Sequence, residues 1–223
     1  MAFRILVADD HEVVRRGLCA LLQAQPDWEV CGEAGDGREA LEKTQKLKPD
    51  VVILDIGMPS LNGLEATRQI LKAMPHTRVL ILTLHDSDQV VREVLNAGAR
   101  GFLLKSDAAR DLVAAVEALR RDKTYFTSKV AAMVLEGYLK GGTKAPAVAV
   151  GRDRLTPRER EVVQLLAEGK STKEVAVALG LSVKTAETHR SNIMRKLQLH
   201  SVSDLVLYAV RNNIVHVVQS TIE

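Results

Sequence analysis

Three aspartates, a threonine and a lysine stand where apolar runs of the sequence stop. Asp9 and Asp10 follow FRILVA, Asp55 closes VVILD, Thr83 closes RVLILT and Lys105 closes GFLLK. An apolar core has no use for such a set, because a buried charge is costly unless it is paired. Carboxylates brought close repel one another until a cation joins them. Ligands that are all oxygen suit a hard ion, and Mg2+ tolerates a site completed by water and phosphate. An aspartate can act as a nucleophile and take a phosphoryl group as an aspartyl-phosphate. The ion and the Lys105 ammonium would then neutralise charge developing on the phosphoryl oxygens, and the Thr83 hydroxyl would donate to one of them. Singly, each residue has a plainer reading: a helix cap for Asp9 or Asp10, an ordinary strand position for Thr83, a solvated Lys105. Their coincidence at four run ends carries the chemical reading.

Something must bring those ends together. The runs FRILVAD, WEVCGEA, VVILD, RVLILT and GFLLK are rich in Val, Ile and Leu and read as strands buried on both faces. Amphipathic patterns predict helices between and after them, over 11–25, 36–48, 62–74, 88–97 and 107–121. Such alternation predicts a flavodoxin-like, doubly wound α/β fold with a five-stranded parallel sheet over residues 1–121. Ligands of these sheets sit at the carboxyl ends of the strands, where the five side chains fall. Met58-Pro59 turns the chain after Asp55, and Gly63 permits a close approach before the next helix.

Residues 122–152 read as a linker, with one helix predicted over 128–139 and a hinge near Gly141 and Gly142. Residues 153–218 carry only helix signals and predict an all-α, four-helix domain: 157–168, 172–179, 183–197 and 202–212. Thr156-Pro157-Arg158-Glu159 and Ser171-Thr172-Lys173-Glu174 are capping boxes, and Ser182 and Ser201 are further caps. Gly180 between the second and third helices predicts a helix-turn-helix. On the third, Ala186, Ile193 and Leu197 share one side, and Lys184, Glu187, Thr188, Ser191 and Arg195 the other. A polar face of this kind fits the major groove of double-stranded DNA, although any solvated amphipathic helix would show one too. Lys184, Arg190 and Lys196 are the expected phosphate anchors, and Glu187, Thr188 and Ser191 the expected readers of base edges. Thr185 and His189 complete the expected contacts.

The totals agree with two domains facing different partners. Residues 1–121 hold 16 Lys and Arg against 18 Asp and Glu, whereas residues 152–218 hold 11 against 7. At 3% aromatic residues, the 223-residue chain has little with which to stack on bases. No apolar run approaches the roughly 20 residues of a membrane span, and the first residues have no signal-peptide layout. Two cysteines, Cys19 and Cys31, read as buried core thiols. A cytoplasmic protein without a membrane partner is expected.

The segments VADDH, LDIGMP, LTLH and GFLLK resemble the receiver domain of bacterial two-component response regulators. The resemblance implies Asp55 as phosphoacceptor, with Mg2+ held by Asp9, Asp10, Asp55 and the backbone carbonyl of Gly57. It further implies Thr83 as a switch hydroxyl, Lys105 as a phosphoryl contact, Phe102 as an aromatic that changes rotamer on activation, and Gly57 and His85 as positions that tune dephosphorylation. LTPREREVVQLLAEGKSTKEVAVALGLSVKTAETHRSNIMRKL resembles the LuxR-type helix-turn-helix, with Ala186 where valine is frequent. Together they resemble a NarL/LuxR-type response regulator. That implies phosphorylation by a sensor histidine kinase, control of DNA binding and transcription, and no enzymatic turnover beyond slow loss of the chain's own phosphoryl group. A homodimer is expected when Asp55 is phosphorylated, with Leu205, Val206 and Ala209 on the last helix as available contacts or as closure of the core. Two alternatives fit less well. An aspartyl-phosphate phosphatase commonly has an acid two residues after its nucleophile, where this chain has Gly57. A LuxR-type receptor for a small diffusible signal needs a pocket lined by aromatics.

Overall fold

The computed structural model describes residues 2–84, 87–126, 130 and 155–215. Two compact units divide the chain, Met1–Gly151 and Arg152–Glu223. His85, most of the predicted helix 128–139 and the hinge at Gly141 and Gly142 lie outside the described residues. No helix among the described residues is long and apolar enough to cross a membrane.

In the first unit, five parallel strands are ordered β2-β1-β3-β4-β5. They are β1 (Phe3–Ala8), β2 (Trp28–Ala34), β3 (Val51–Asp55), β4 (Arg78–Thr83) and β5 (Gly101–Leu104). The helices are α1 (Glu12–Gln23), α2 (Gly37–Leu47), α3 (Gly63–Ala73), α4 (Asp88–Ala97) and α5 (Ala108–Arg120). Period-2 alternation sends Leu6, Leu54, Ile81 and Phe102 to the face covered by α2, α3 and α4. Ile5, Ile53, Leu80 and Leu103 go to the face covered by α1 and α5. The strand order reverses between β1 and β3, so a crevice opens at their carboxyl ends. Asp55 closes β3, and Asp9 follows β1 by one residue.

Four local readings need correction. β2 is not buried on both faces: it lies at the sheet edge, and of its residues only Ala34 is buried. β5 ends at Leu104, and Lys105 opens a single 3-10 turn, Lys105–Asp107. Cys31 is only half-buried, and its thiol donates to the Ile5 carbonyl; Cys19 is buried, and burial pushes its thiol up to about 11. Tyr125, in the stretch read from the sequence as linker, is hydrogen-bonded beside β5.

Side chains from outside the helices fix where several of them start. Asp36 accepts from the Arg38 and Glu39 amides ahead of α2, Asn62 from Glu65 ahead of α3, and Ser87 from Val90 ahead of α4. Gly63 starts α3 directly under the Asp55 peptide. A Cβ there would lie 2.1 Å from the Asp55 carbonyl oxygen and 3.1 Å from Ile56 Cα. Both are backbone atoms, so the glycine is required by close approach.

The second unit contains α6 (Pro157–Ala167), α7 (Thr172–Ala178), α8 (Val183–Leu197) and α9 (Val202–Arg211). Thr156–Glu159 and Ser171–Glu174 form the two expected capping boxes, and Ser201–Asp204 forms a third. Gly180 takes φ 62° in the turn between α7 and α8. Val162, Val163, Val175, Ala186, Ile193, Leu205 and Ala209 belong to one apolar core. Leu205 is 1% exposed and Ala209 0%, so these two close the core and are not available as a dimer contact. Val202 and Leu207 are the exposed apolar residues of α9.

Gly63→Ala is expected to destabilise the first unit by about 2 kcal/mol, because backbone must move. Gly17→Ala, in α1 with nothing within 4 Å of the added Cβ, is expected to stabilise it by about 0.5–1 kcal/mol. Urea unfolding of the two variants checks the contrast.

Candidate functional site

Asp9 and Asp55 are 0% and 4% exposed, an unusual depth for two neighbouring carboxyl groups. The backbone places them. The Asp9 amide donates to the Ala34 carbonyl at 3.2 Å, and Arg15 Nη1 donates to the Asp9 carbonyl at 2.6 Å. Asp9 Oδ1 accepts from the His11 amide at 2.9 Å, while Asp55 sits opposite Leu82 in the β3–β4 ladder. Lys105 reaches in from the turn after β5, with Nζ 2.8 Å from Asp9 Oδ2 and 3.0 Å from Asp55 Oδ2. Asp9 Oδ2 is fully buried and has this ion contact without the alignment of a hydrogen bond.

Burial pushes the Asp55 carboxyl above the usual carboxylate range. Lys105 counters the rise, Asp9 adds to it, and the Gly57 backbone N–H opposes it by donating to the carboxylate. Burial alone would lower the Lys105 ammonium, but the Asp55 and Asp9 charges outweigh it and hold the group above its ordinary value. One ammonium therefore serves two buried carboxylates. Asp10 stands at the exposed rim. One ligand atom each from Asp9, Asp10, His11 and Asp55 lies within 4.8 Å of the others, a cluster that fits a metal ion.

His11 is the member that sequence reasoning missed. Its Nδ1 is 2.7 Å from Asp10 Oδ1 and 3.4 Å from Asp9 Oδ1. The signal was adjacency: the imidazole follows the acid pair and heads α1 as its N-cap. Thr83 is buried at the end of β4, opposite Leu104. By strand alternation it shares a face with Ile81, and Phe102, opposite Ile81 and 0% exposed, faces the same way.

In the second unit α8 buries Ala186 and Ile193, while Lys184, Thr185, Glu187, Thr188, Arg190 and Ser191 are exposed and His189 is half-buried. The side chains of Lys184, Glu187 and Ser191 have no hydrogen-bond or ion-pair partner among the described residues. Other side chains on the helix are engaged. Thr185 Oγ1 is 2.8 Å from the capping Ser182 Oγ, Thr188 Oγ1 donates to the Lys184 carbonyl, and Arg190 Nη1 reaches Thr172 Oγ1 on α7 at 3.4 Å. Lys196 is bound to Glu159 at 2.7 Å, and Glu159 also closes the capping box of α6.

Both halves have counterparts among known proteins. Residues 5–117 match the family described as response regulator receiver domain, and residues 153–209 match the bacterial regulatory proteins of the luxR family. The chain is a response regulator of the LuxR family. It is 39% identical over 213 residues to the transcriptional regulatory protein LiaR of Bacillus subtilis, covering 96% of this chain and 99% of that one. It is 37% identical over 215 residues to the response regulator protein VraR of Staphylococcus aureus, covering 96% and 100%. Among solved structures it resembles RcsB from Salmonella enterica serovar Typhimurium bound to promoter rprA with the phosphomimetic BeF3-. There the identity is 29%, the TM-score 0.58 and the coverage 93% and 98%. This response regulator thus joins a receiver domain to a LuxR-type DNA-binding domain, in a family of transcriptional regulators.

Because its pKa is raised in the folded receiver, ionised Asp55 works against folding when no cation is bound. In that state, stability is expected to fall as pH rises through the interval from the ordinary carboxylate value to the raised one. Asp55→Asn should remove that slope and stabilise the metal-free receiver at neutral pH. Thermal melts in a chelator, from mildly acidic to neutral pH, check the sign.

Proposed function

We propose that a sensor histidine kinase phosphorylates Asp55 and that the modification controls sequence-specific DNA binding and transcription. The observation that carries this reading is a buried carboxylate at the end of β3, 3.0 Å from the Lys105 ammonium and inside a cluster of acids. An Asp55 oxygen bonds to phosphorus as the bond to the donor's imidazole nitrogen breaks and its electron pair stays on that nitrogen. Asp9, Asp10, Asp55 and the Gly57 carbonyl are assigned to Mg2+, which when bound would neutralise charge on the phosphoryl oxygens. Lys105 moves from bridging two carboxylates to contacting the phosphoryl group. Thr83 donates to a phosphoryl oxygen, and Phe102 follows on the same face of the sheet.

The response regulator then acts on DNA through α8, working in the cytoplasm. Lys184 and Arg190 anchor phosphates, and Glu187, Thr188 and Ser191 face base edges, with Thr185 and His189 beside them. Lys196 contributes as an anchor while tied to Glu159. Phosphorylated chains pair as a two-fold homodimer on paired half-sites, using the exposed Val202 and Leu207 of α9.

A small-molecule phosphodonor with Mg2+ is expected to add one phosphoryl group, located on Asp55 by peptide mass spectrometry and absent from Asp55→Asn. A phosphoryl group on another residue overturns the assignment.

Lys184→Ala is expected to weaken binding to all DNA sequences alike and to lower the salt slope by about one. Glu187→Ala should relax the preference at one base pair by about 1–3 kcal/mol. Equal losses on random and specific DNA for both variants would show that anchors and readers are wrongly assigned.

A further inference from the structure

After α5 the chain turns back along the open side of β5. Asp122 takes a left-handed conformation, φ 61°, and its carboxylate is held by Arg78 at 3.2 Å and Arg100 at 2.5 Å. Lys123 N–H donates to the Ala118 carbonyl at 2.9 Å. Tyr125 then lies parallel to Gly101. Its N–H donates to the Arg100 carbonyl at 3.0 Å, and its own carbonyl accepts from the Phe102 N–H at 2.9 Å. As in a strand, neighbouring side chains part to opposite faces. Tyr125 packs with the cluster under α1 and α5, and Phe126 with the cluster under α2, α3 and α4. Val130, 1% exposed, belongs to the Phe126 cluster, as does Phe102.

We propose that residues 122–126 form a strap whose seating on β5 is coupled to the state of Asp55, and that phosphorylation loosens it. The inference rests on the reading of Asp55, Thr83 and Phe102 given above. Phe102 holds the strap twice, by its amide on the Tyr125 carbonyl and by its ring in the cluster that receives Phe126 and Val130. Thr83 lies on that same face two residues further along the β4–β5 register. When Thr83 is drawn to a phosphoryl group, Phe102 gains room toward the strand ends and leaves the packing it shares with the strap. A close-packed interior does not absorb such a shift without moving its neighbours. The coupling is reciprocal, so whatever unseats the strap must also favour the phosphorylated arrangement. This segment is also the start of the chain's path from the receiver to the DNA-binding domain, so its seating is placed to pass a signal on.

Hydrogen exchange by mass spectrometry on the full-length chain tests the coupling. Intact mass and peptide mapping report the phosphoryl group in the same samples. With phosphodonor and Mg2+, the amides of Phe102 and Tyr125 are expected to exchange about tenfold faster, while those of Leu18 to Leu22 in α1 stay unchanged. Asp55→Asn under the same conditions should show no change. Phe126→Ala should speed exchange at Tyr125 and raise DNA affinity several-fold without phosphodonor. Asp122→Ala, an exposed substitution that spares the apolar packing, should act in the same direction more weakly. Absence of the phosphoryl group from Asp55 overturns the proposed function and this inference with it. A phosphoryl group on Asp55 with unchanged exchange at Phe102 and Tyr125 overturns the inference alone. Variants that loosen the strap without changing DNA affinity also overturn it.

Discussion

One ammonium between two buried carboxylates is the constraint from which the receiver's organisation follows. Asp9 and Asp55 repel each other in a site from which water is largely excluded, and Lys105 holds them together at 2.8 and 3.0 Å. A strand reversal is needed to put the acids side by side, and a turn after β5 to swing the lysine between them. The glycine under Asp55 lets α3 begin directly against the Asp55 peptide. The arrangement is held at a cost, since burial keeps Asp55 above its ordinary pKa. A site under that charge stress has a ready response to any cation that relieves it, which is why perturbed groups mark places of function.

The second unit is organised by hydrogen-bond satisfaction rather than by charge stress. Four short helices leave many backbone N–H groups unpaired at their starts, and side-chain caps answer each start. Glu159 does two jobs, closing the cap of α6 and binding Lys196 of α8. That ties α8 to the first helix of the domain. Arg158 works similarly, donating to the Leu179 carbonyl at the end of α7 and pairing with Glu161 at 2.8 Å. The orientation of α8 is set by Lys196 on Glu159, by Arg190 on Thr172 of α7, and by Ala186 and Ile193 beneath it.

How much of this was legible in the sequence depended on how each residue is paired. β3 and β4 were plain because both faces are covered and the runs are continuously apolar. β2 looked alike in composition but sits at an edge, and an apolar run does not say which neighbour it lacks. Asp9, Asp10, Asp55 and Lys105 could be gathered because each ends an apolar run, although the lysine belongs to the following turn. His11 escaped because its partners are its immediate neighbours and no run ends on it. The capping boxes at Thr156 and Ser171 carry Glu at the third helical position and were read; the one at Ser201 uses Asp204 and was read only as a cap. Leu205 and Ala209 were left between core and contact, since helical spacing marks an apolar face without naming what covers it. The strap was hidden altogether. KTYF has too few apolar residues to announce a strand, and its pairing depends on a β5 edge that only the folded sheet provides.

That strap also bears on solubility. A five-stranded open sheet has two borders where unpaired backbone groups invite another chain. On the β5 side, Tyr125 occupies the border with this chain's own peptide groups. On the β2 side, Glu29 and Glu33 project charge, and the β1–β2 register shifts between Ile5 and Leu6. Irregularity and exposed charged side chains make a poor template for edge-to-edge stacking. Both sheet borders are thus guarded, leaving helical surfaces as the route for the self-association proposed above.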